Sequence, residues 1–277
     1  MAAPPRYVLV SHFHWDREWY RPFEAYRARL VDAVDRVLDL LDADPGYRFL
    51  LDGQAIVVED YLAVRPERRP ALEAGLRAGR LAAGPWYVQP DSLLPSGEAH
   101  VRNLLHGRRV LGALGPVSTV GYVPDSFGHP AQLPQLLAGF GLGSFVYWRG
   151  SGDEIDEVGP VYRWVAPDGS AVEALLLREG YFNAAGLPAD AAGAASVLAA
   201  LAARLAAAGS PVLLMNGFDH ALPDPHTGAA AAALARLTGA TVLRGLLEDA
   251  RTRWCSRPAR CASTCRRGPC ARCSCVR

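Results

Sequence analysis

Lysine is absent from this 277-residue chain, so all 29 of its basic side chains are arginines. With alanine, glycine and proline so common, that absence reflects GC-rich coding DNA more than any function. Cysteine is absent from residues 1–254, and all six cysteines (Cys255, Cys261, Cys265, Cys270, Cys273 and Cys275) lie in the final stretch. No histidine follows His226. No apolar run approaches the roughly 18–20 residues of a membrane span. The opening MAAPPRYVLV holds one arginine and too short an apolar stretch for a signal peptide, so the expectation is a cytoplasmic protein with no membrane partner. No glycine-rich phosphate loop is present to favour a nucleotide.

The formal charge of +1 averages two unlike segments. Residues 1–250 carry 28 acids against 21 arginines, a mildly acidic body that argues against nucleic acid as a partner. Residues 251–277 carry eight arginines and no acid. Within this tail Cys270 and Cys273 form the only Cys-x2-Cys pair, with no histidine and no apolar period, which fits poorly with a zinc module. The expected organisation is therefore one globular body over 1–250 and a disordered or frameshift-derived tail over 251–277. The alternative for the tail is a metal-binding segment.

In the body, strand-like and helix-like segments alternate. YVLVS at Tyr7–Ser11 reads as a strand, and Leu30, Val31, Val34, Val37, Leu38 and Leu41 make a helical stripe. Further strands are expected at 47–51, 86–89, 117–123, 144–148 and 211–215. Helices are expected at 96–114, around 132–138, and over 191–208, 228–238 and 243–253. A hairpin is expected around Pro167-Asp168-Gly169. This alternation predicts an α/β fold with a mainly parallel sheet or barrel and function at the strands' C-terminal ends.

Four clusters fall at such ends. In SHFHWDREWY, residues two apart share a side of an extended chain, so His12, His14 and Asp16 can converge on one divalent ion. GYVPDSFGH releases Asp125, and LLMNGFDH releases Asp219 and His220. Either acid can be a turn-former or a carboxylate held at a barrel mouth. PWYVQPD places Trp86 beside Asp91, and Trp15, Trp19, Trp86 and Trp148 all lie near strand ends. Rings beside polar groups suit a sugar, whose apolar face stacks while its hydroxyls pair.

Together these motifs resemble the family 38 glycoside hydrolases, the α-mannosidases. HFHWDREWY is similar to the family's first motif, GYVPDSFGHPAQLPQLL to the nucleophile motif and LLMNGFDH to the third. PWYVQPDSLLPSGEAHVRNLLHG resembles the segment between the first two. The resemblance implies a mainly parallel (β/α) barrel of about seven strands and a retaining hydrolysis of terminal α-linked mannose, on an oligosaccharide or a small mannosyl compound. It implies His14, Asp16 and Asp125 as zinc ligands, Asp125 also as nucleophile and Asp219 as acid/base. Trp19, Trp86, Asp91, Trp148 and His220 are then expected around the sugar. The family's fourth zinc ligand is a downstream histidine in a His-Asp motif, which this sequence lacks, and its full-length members add large β-rich C-terminal domains, so the resemblance implies that residues 1–250 are a family 38-like catalytic domain, incomplete at its C-terminal end. The competing expectations are an inactive fragment of such an enzyme, or a metal-dependent amidohydrolase or deacetylase. The latter needs further histidine or lysine ligands that this chain scarcely has. Oligomeric state is left open, a homo-oligomer included.

Overall fold

The computed structural model describes residues 6–152, 154–208 and 211–254. The cysteines and the basic tail from residue 255 onward lie outside the described residues.

The first strand, β1 (Arg6–Ser11), alternates its side chains. Val8 and Val10 point to one side and Leu9 to the other, which places β1 between two layers. Strands β2 (Phe49–Leu50), β3 (Leu81–Ala82), β4 (Val120–Val123), β5 (Ser144–Tyr147), β7 (Ala171–Leu176) and β8 (Leu213–Asn216) follow the same course. Pairing is parallel for β8–β1, β2–β3, β4–β5 and β5–β7. Single contacts join these sections. His12 bridges Leu50, Ser118 N donates to Ala83 O, and Ala184 N donates to Met215 O at 3.0 Å. The strands so linked form a barrel. Val8, Val10, Leu50, Ala82, Tyr122, Val146, Leu175 and Met215, drawn from seven strands, fill its interior. Each aliphatic side chain buried in this way contributes roughly 1.5–3 kcal/mol.

Helices cover the outside. Helix α1 (Phe23–Ala43) buries Leu30, Ala33, Val34, Val37, Leu38 and Leu41 along one stripe and ends before Pro45. It packs with α2 (Ile56–Leu62) and α3 (Arg69–Arg77) over Phe13, Trp15 and Phe49. Helix α4 (Gly97–Gly112) starts where Ser96 Oγ accepts from Ala99 N at 3.3 Å. With α5 (Leu133–Gly139) it covers the β4–β5 face. A short α6 (Glu154–Val158) precedes β6 (Val161–Val165). Helices α7 (Ala191–Ala207) and α8 (Thr227–Thr238) enclose Leu9 and Leu214.

Two sequence expectations are corrected. Residues 86–89 are not a strand: the third strand is β3, and the chain turns at Gly84, which has φ +79, and at Pro85, which lacks an N–H for a ladder. Residues 243–253 are not one helix. Thr241–Arg244 form β9, parallel to β1, and Gly245 separates it from α9 (Leu247–Trp254). The expected hairpin is present, with β6 antiparallel to β7. Among the described residues no helix is long and apolar enough to cross a membrane.

Candidate active site

The exits of β1, β4 and β8 meet at the C-terminal end of the barrel. Beyond Ser11 the chain keeps its alternation. Phe13 and Trp15 pack outward, 5.0 Å apart and edge to face, while His12, His14 and Asp16 take the other side. They do not converge as a trio. His12 donates its Nε2–H to Tyr181 O at 2.7 Å within the barrel, and burial pushes its pKa down to about 4. His14 is the histidine that turns to the cleft. Its Nδ1 lies 3.1 Å from Asp52 Oδ2 and its Nε2 3.5 Å from Asp16 Oδ1. Burial opposes protonation of His14, but Asp52 and Asp16 outweigh it and hold its pKa well above the ordinary imidazole value.

β8 approaches β1 closely because position 217 is glycine: a Cβ there would stand 2.0 Å from His12 O. That approach lets Asp219 bridge His14. Half-buried, Asp219 accepts from Tyr181 Oη at 2.7 Å. Burial raises its pKa, the charges of Asp16 and Asp125 add to the rise, and Tyr181 and His14 oppose it. β4 releases Asp125, whose carboxylate meets the Arg149 guanidinium supplied by the exit of β5. The loop after Asp125 is pinned from below. Ser92 N donates to Ser126 Oγ at 2.9 Å, and His129 Nε2 donates to Arg149 O at 3.1 Å. Burial holds the pKa of His129 down at about 4.

A cleft of about 540 Å³ opens here, lined by His14, Asp16, Trp19, Gln89, Asp91 and Asp125 among others. Trp19 is 54% exposed on its rim, with the Tyr20 ring 4.0 Å from its own. Asp91 Oδ1 accepts from Phe127 N at 3.3 Å. Three expected sugar contacts fall elsewhere. Trp86 is 0% exposed in the core among Leu104 and Val123, so no ligand reaches it. Trp148 is half-buried behind the site, against Tyr181 and Phe182, with Arg149 4.0 Å above its ring. His220 is buried behind Asp16. Its Nε2 lies 3.1 Å from Asp16 N and 3.0 Å from Asp16 O, and its ring stacks on Tyr26 at 4.1 Å.

As to metal, no group of three or more His, Cys, Asp or Glu side chains among the described residues is arranged to hold an ion. The donors nonetheless fit one in kind. An imidazole nitrogen and an acidic oxygen face each other at 3.5 Å, with a second carboxylate in the same cleft.

Sequence reasoning missed Asp52, Arg149 and Tyr181. Asp52 and Arg149 stand just past strand ends, in LLDG and YWR, and Tyr181 follows in the loop after β7. The rule that singled out Asp125 and Asp219, an acid just past a strand, would have found Asp52 but not Arg149 or Tyr181.

A barrel of parallel strands with carboxylates and an imidazole gathered at its C-terminal end is the arrangement in which barrel enzymes place their catalytic groups. The particular family is the glycosyl hydrolases family 38: the chain matches its N-terminal domain over residues 5–238 and belongs to it. It is 41% identical over 226 residues to a Halalkalibacterium halodurans protein described as "Putative mannosylglycerate hydrolase", covering 76% of this chain and 25% of that one. It is 30% identical over 170 residues to human alpha-mannosidase 2C1, covering 59% and 16% of the two chains. The crystal structure of an alpha-mannosidase from Enterococcus faecalis V583 superposes with a TM-score of 0.83 at 33% identity, covering 90% of this chain and 29% of that one. The chain thus spans 16–29% of the length of these three proteins.

Proposed function

We propose that the chain carries the catalytic end of a retaining glycosidase that releases terminal α-linked mannose. What supports this is the unlike setting of two carboxylates released at the same end of the barrel: Asp219 has a raised pKa, to which the charge of Asp125 adds, and Asp125 lies against a guanidinium. A retaining mechanism needs such a pair, roughly 5–5.5 Å apart, one to protonate and one to attack. The names of the Halalkalibacterium, human and Enterococcus relatives supply the substrate class, an α-mannoside, with a small mannosyl compound among the candidates.

In this reading the sugar stacks on Trp19 and its hydroxyls pair with Asp91. Asp125 attacks the anomeric carbon, and Asp219 gives its proton to the departing oxygen. The product is a mannosyl ester of Asp125 and a released alcohol. Asp219, now a base, takes a proton from water, which attacks the same carbon and frees Asp125. Two inversions return the original anomeric configuration. Arg149 holds the Asp125 carboxylate in place and Tyr181 holds that of Asp219. His14, Asp16 and Asp125 would hold a divalent ion such as zinc. When bound, the ion supplies a template and Lewis acid for the sugar hydroxyls.

The test is proton NMR of the first product formed from p-nitrophenyl α-mannoside. α-Mannose as the initial anomer supports the reading, whereas β-mannose contradicts it.

A further inference from the structure

Asp52 is a carboxylate beneath the cleft that the chemistry above does not use. It is 0% exposed. Its Oδ2 accepts from Trp15 N at 2.9 Å and Gln54 Nε2 at 2.9 Å, and meets His14 Nδ1 at 3.1 Å. Its Oδ1 accepts from Gly53 N at 2.8 Å and from Gln89 Nε2. The backbone at Asp52 has φ +57, a conformation that residues with side chains rarely adopt and that persists where the surroundings over-determine it.

Apart from its own neighbour Gly53, the donors come from segments that line the cleft, at His14, Trp15, Gln54 and Gln89. A histidine that offers one ring nitrogen to a metal needs the proton on the other, and needs its ring held against rotation. A carboxylate on Nδ1 does both. Here Nε2, the nitrogen left over, points at Asp16.

We propose that Asp52 is a positioning residue of the metal site. By accepting the Nδ1–H of His14 it aims Nε2 at Asp16 and the cleft, and through Gln89 it ties the loop that carries Asp91 to the same carboxylate. This rests on His14 being a metal ligand.

Zinc affinity, measured on the full chain by competition with a chromophoric chelator, separates the two ideas. His14→Ala should weaken zinc binding. Asp52→Asn should weaken it roughly 10–100-fold, the range for loss of a partner behind a ligand. The double variant should bind no more weakly than His14→Ala alone, because Asp52 acts through His14. A purely structural role would lower the unfolding midpoint of the metal-free chain and leave affinity untouched. If the wild-type chain takes no zinc, or His14→Ala binds as well as wild type, the ligand assignment falls and this inference with it. If His14→Ala weakens binding but Asp52→Asn does not, or the two losses add, Asp52 is no positioning residue and the ligand assignment stands. Should Asp52→Asn not fold, as judged by near-ultraviolet circular dichroism, Asp52→Glu carries the test. That variant keeps the charge and displaces it by one methylene. Weakened zinc binding is expected, and wild-type affinity overturns the proposal.

Discussion

At the C-terminal end of the barrel the β4 side and the β8 side each release one aspartate, and the two neighbourhoods are opposites. Asp125 stands against a cation, Arg149, on a loop pinned from below by Ser92 and His129. Asp219 stands half-buried against a neutral phenol, Tyr181, on a backbone drawn to β1 by Gly217. The same side chain in two settings becomes a group suited to attack and a group suited to carry a proton. Strand topology brings the pair together, and the residues that follow the neighbouring strands set them apart.

The comparison breaks most sharply at Asp125. Asp125→Asn should lower kcat on an aryl α-mannoside by at least roughly 10³-fold with the fold intact. Retention of a tenth of the activity would remove it as nucleophile. Asp219→Ala should cost about 10²–10⁴-fold on substrates with poor leaving groups. Aryl mannosides whose leaving group needs no proton should lose far less. An equal loss on both substrate types would take the acid role from Asp219.

The β4 side also has a pH signature in stability. His129 has a pKa near 6.5 when unfolded and about 4 when folded, so its neutral, buried ring contributes fully above pH 6.5. That contribution is lost as pH falls from about 6.5 towards 4, and amounts to about 3 kcal/mol. His12, lowered in the same way, adds to the slope. Denaturant unfolding at pH 7 and pH 4.5 should show the loss in wild type and a smaller loss in His129→Gln. An unchanged slope would show that His129 is not held neutral. The smallest effect is expected of Tyr181→Phe, which removes one hydrogen bond to Asp219. About a tenfold fall in kcat with little change in KM is predicted. A rise in KM alone would place Tyr181 with the substrate instead.

Much of the fold was legible because local pattern and global position agree. Apolar alternation in YVLVS and the stripe in α1 each report one buried face. β9 was not, because a four-residue strand beside a helical pattern has no period of its own and gains its identity only by pairing with β1. In the site, acids just past strands were visible as candidates. Their partners were not: His14 meets Asp52 across 38 residues, Tyr181 meets Asp219 across 38 and Arg149 meets Asp125 across 24. Tryptophans misled for a related reason. Proximity to a strand end does not say which side of the barrel wall a ring occupies, and Trp86 lies on the outer side, buried beneath α4.

The division of labour between the two aspartates is tested most directly by trapping. A fluorinated mannosyl fluoride, which forms the ester faster than water clears it, would be incubated with the chain and the peptides mapped by mass spectrometry. A fluoromannosyl adduct on Asp125, absent in Asp125→Asn, is the predicted result. An adduct on Asp219, or none on either aspartate, would contradict it.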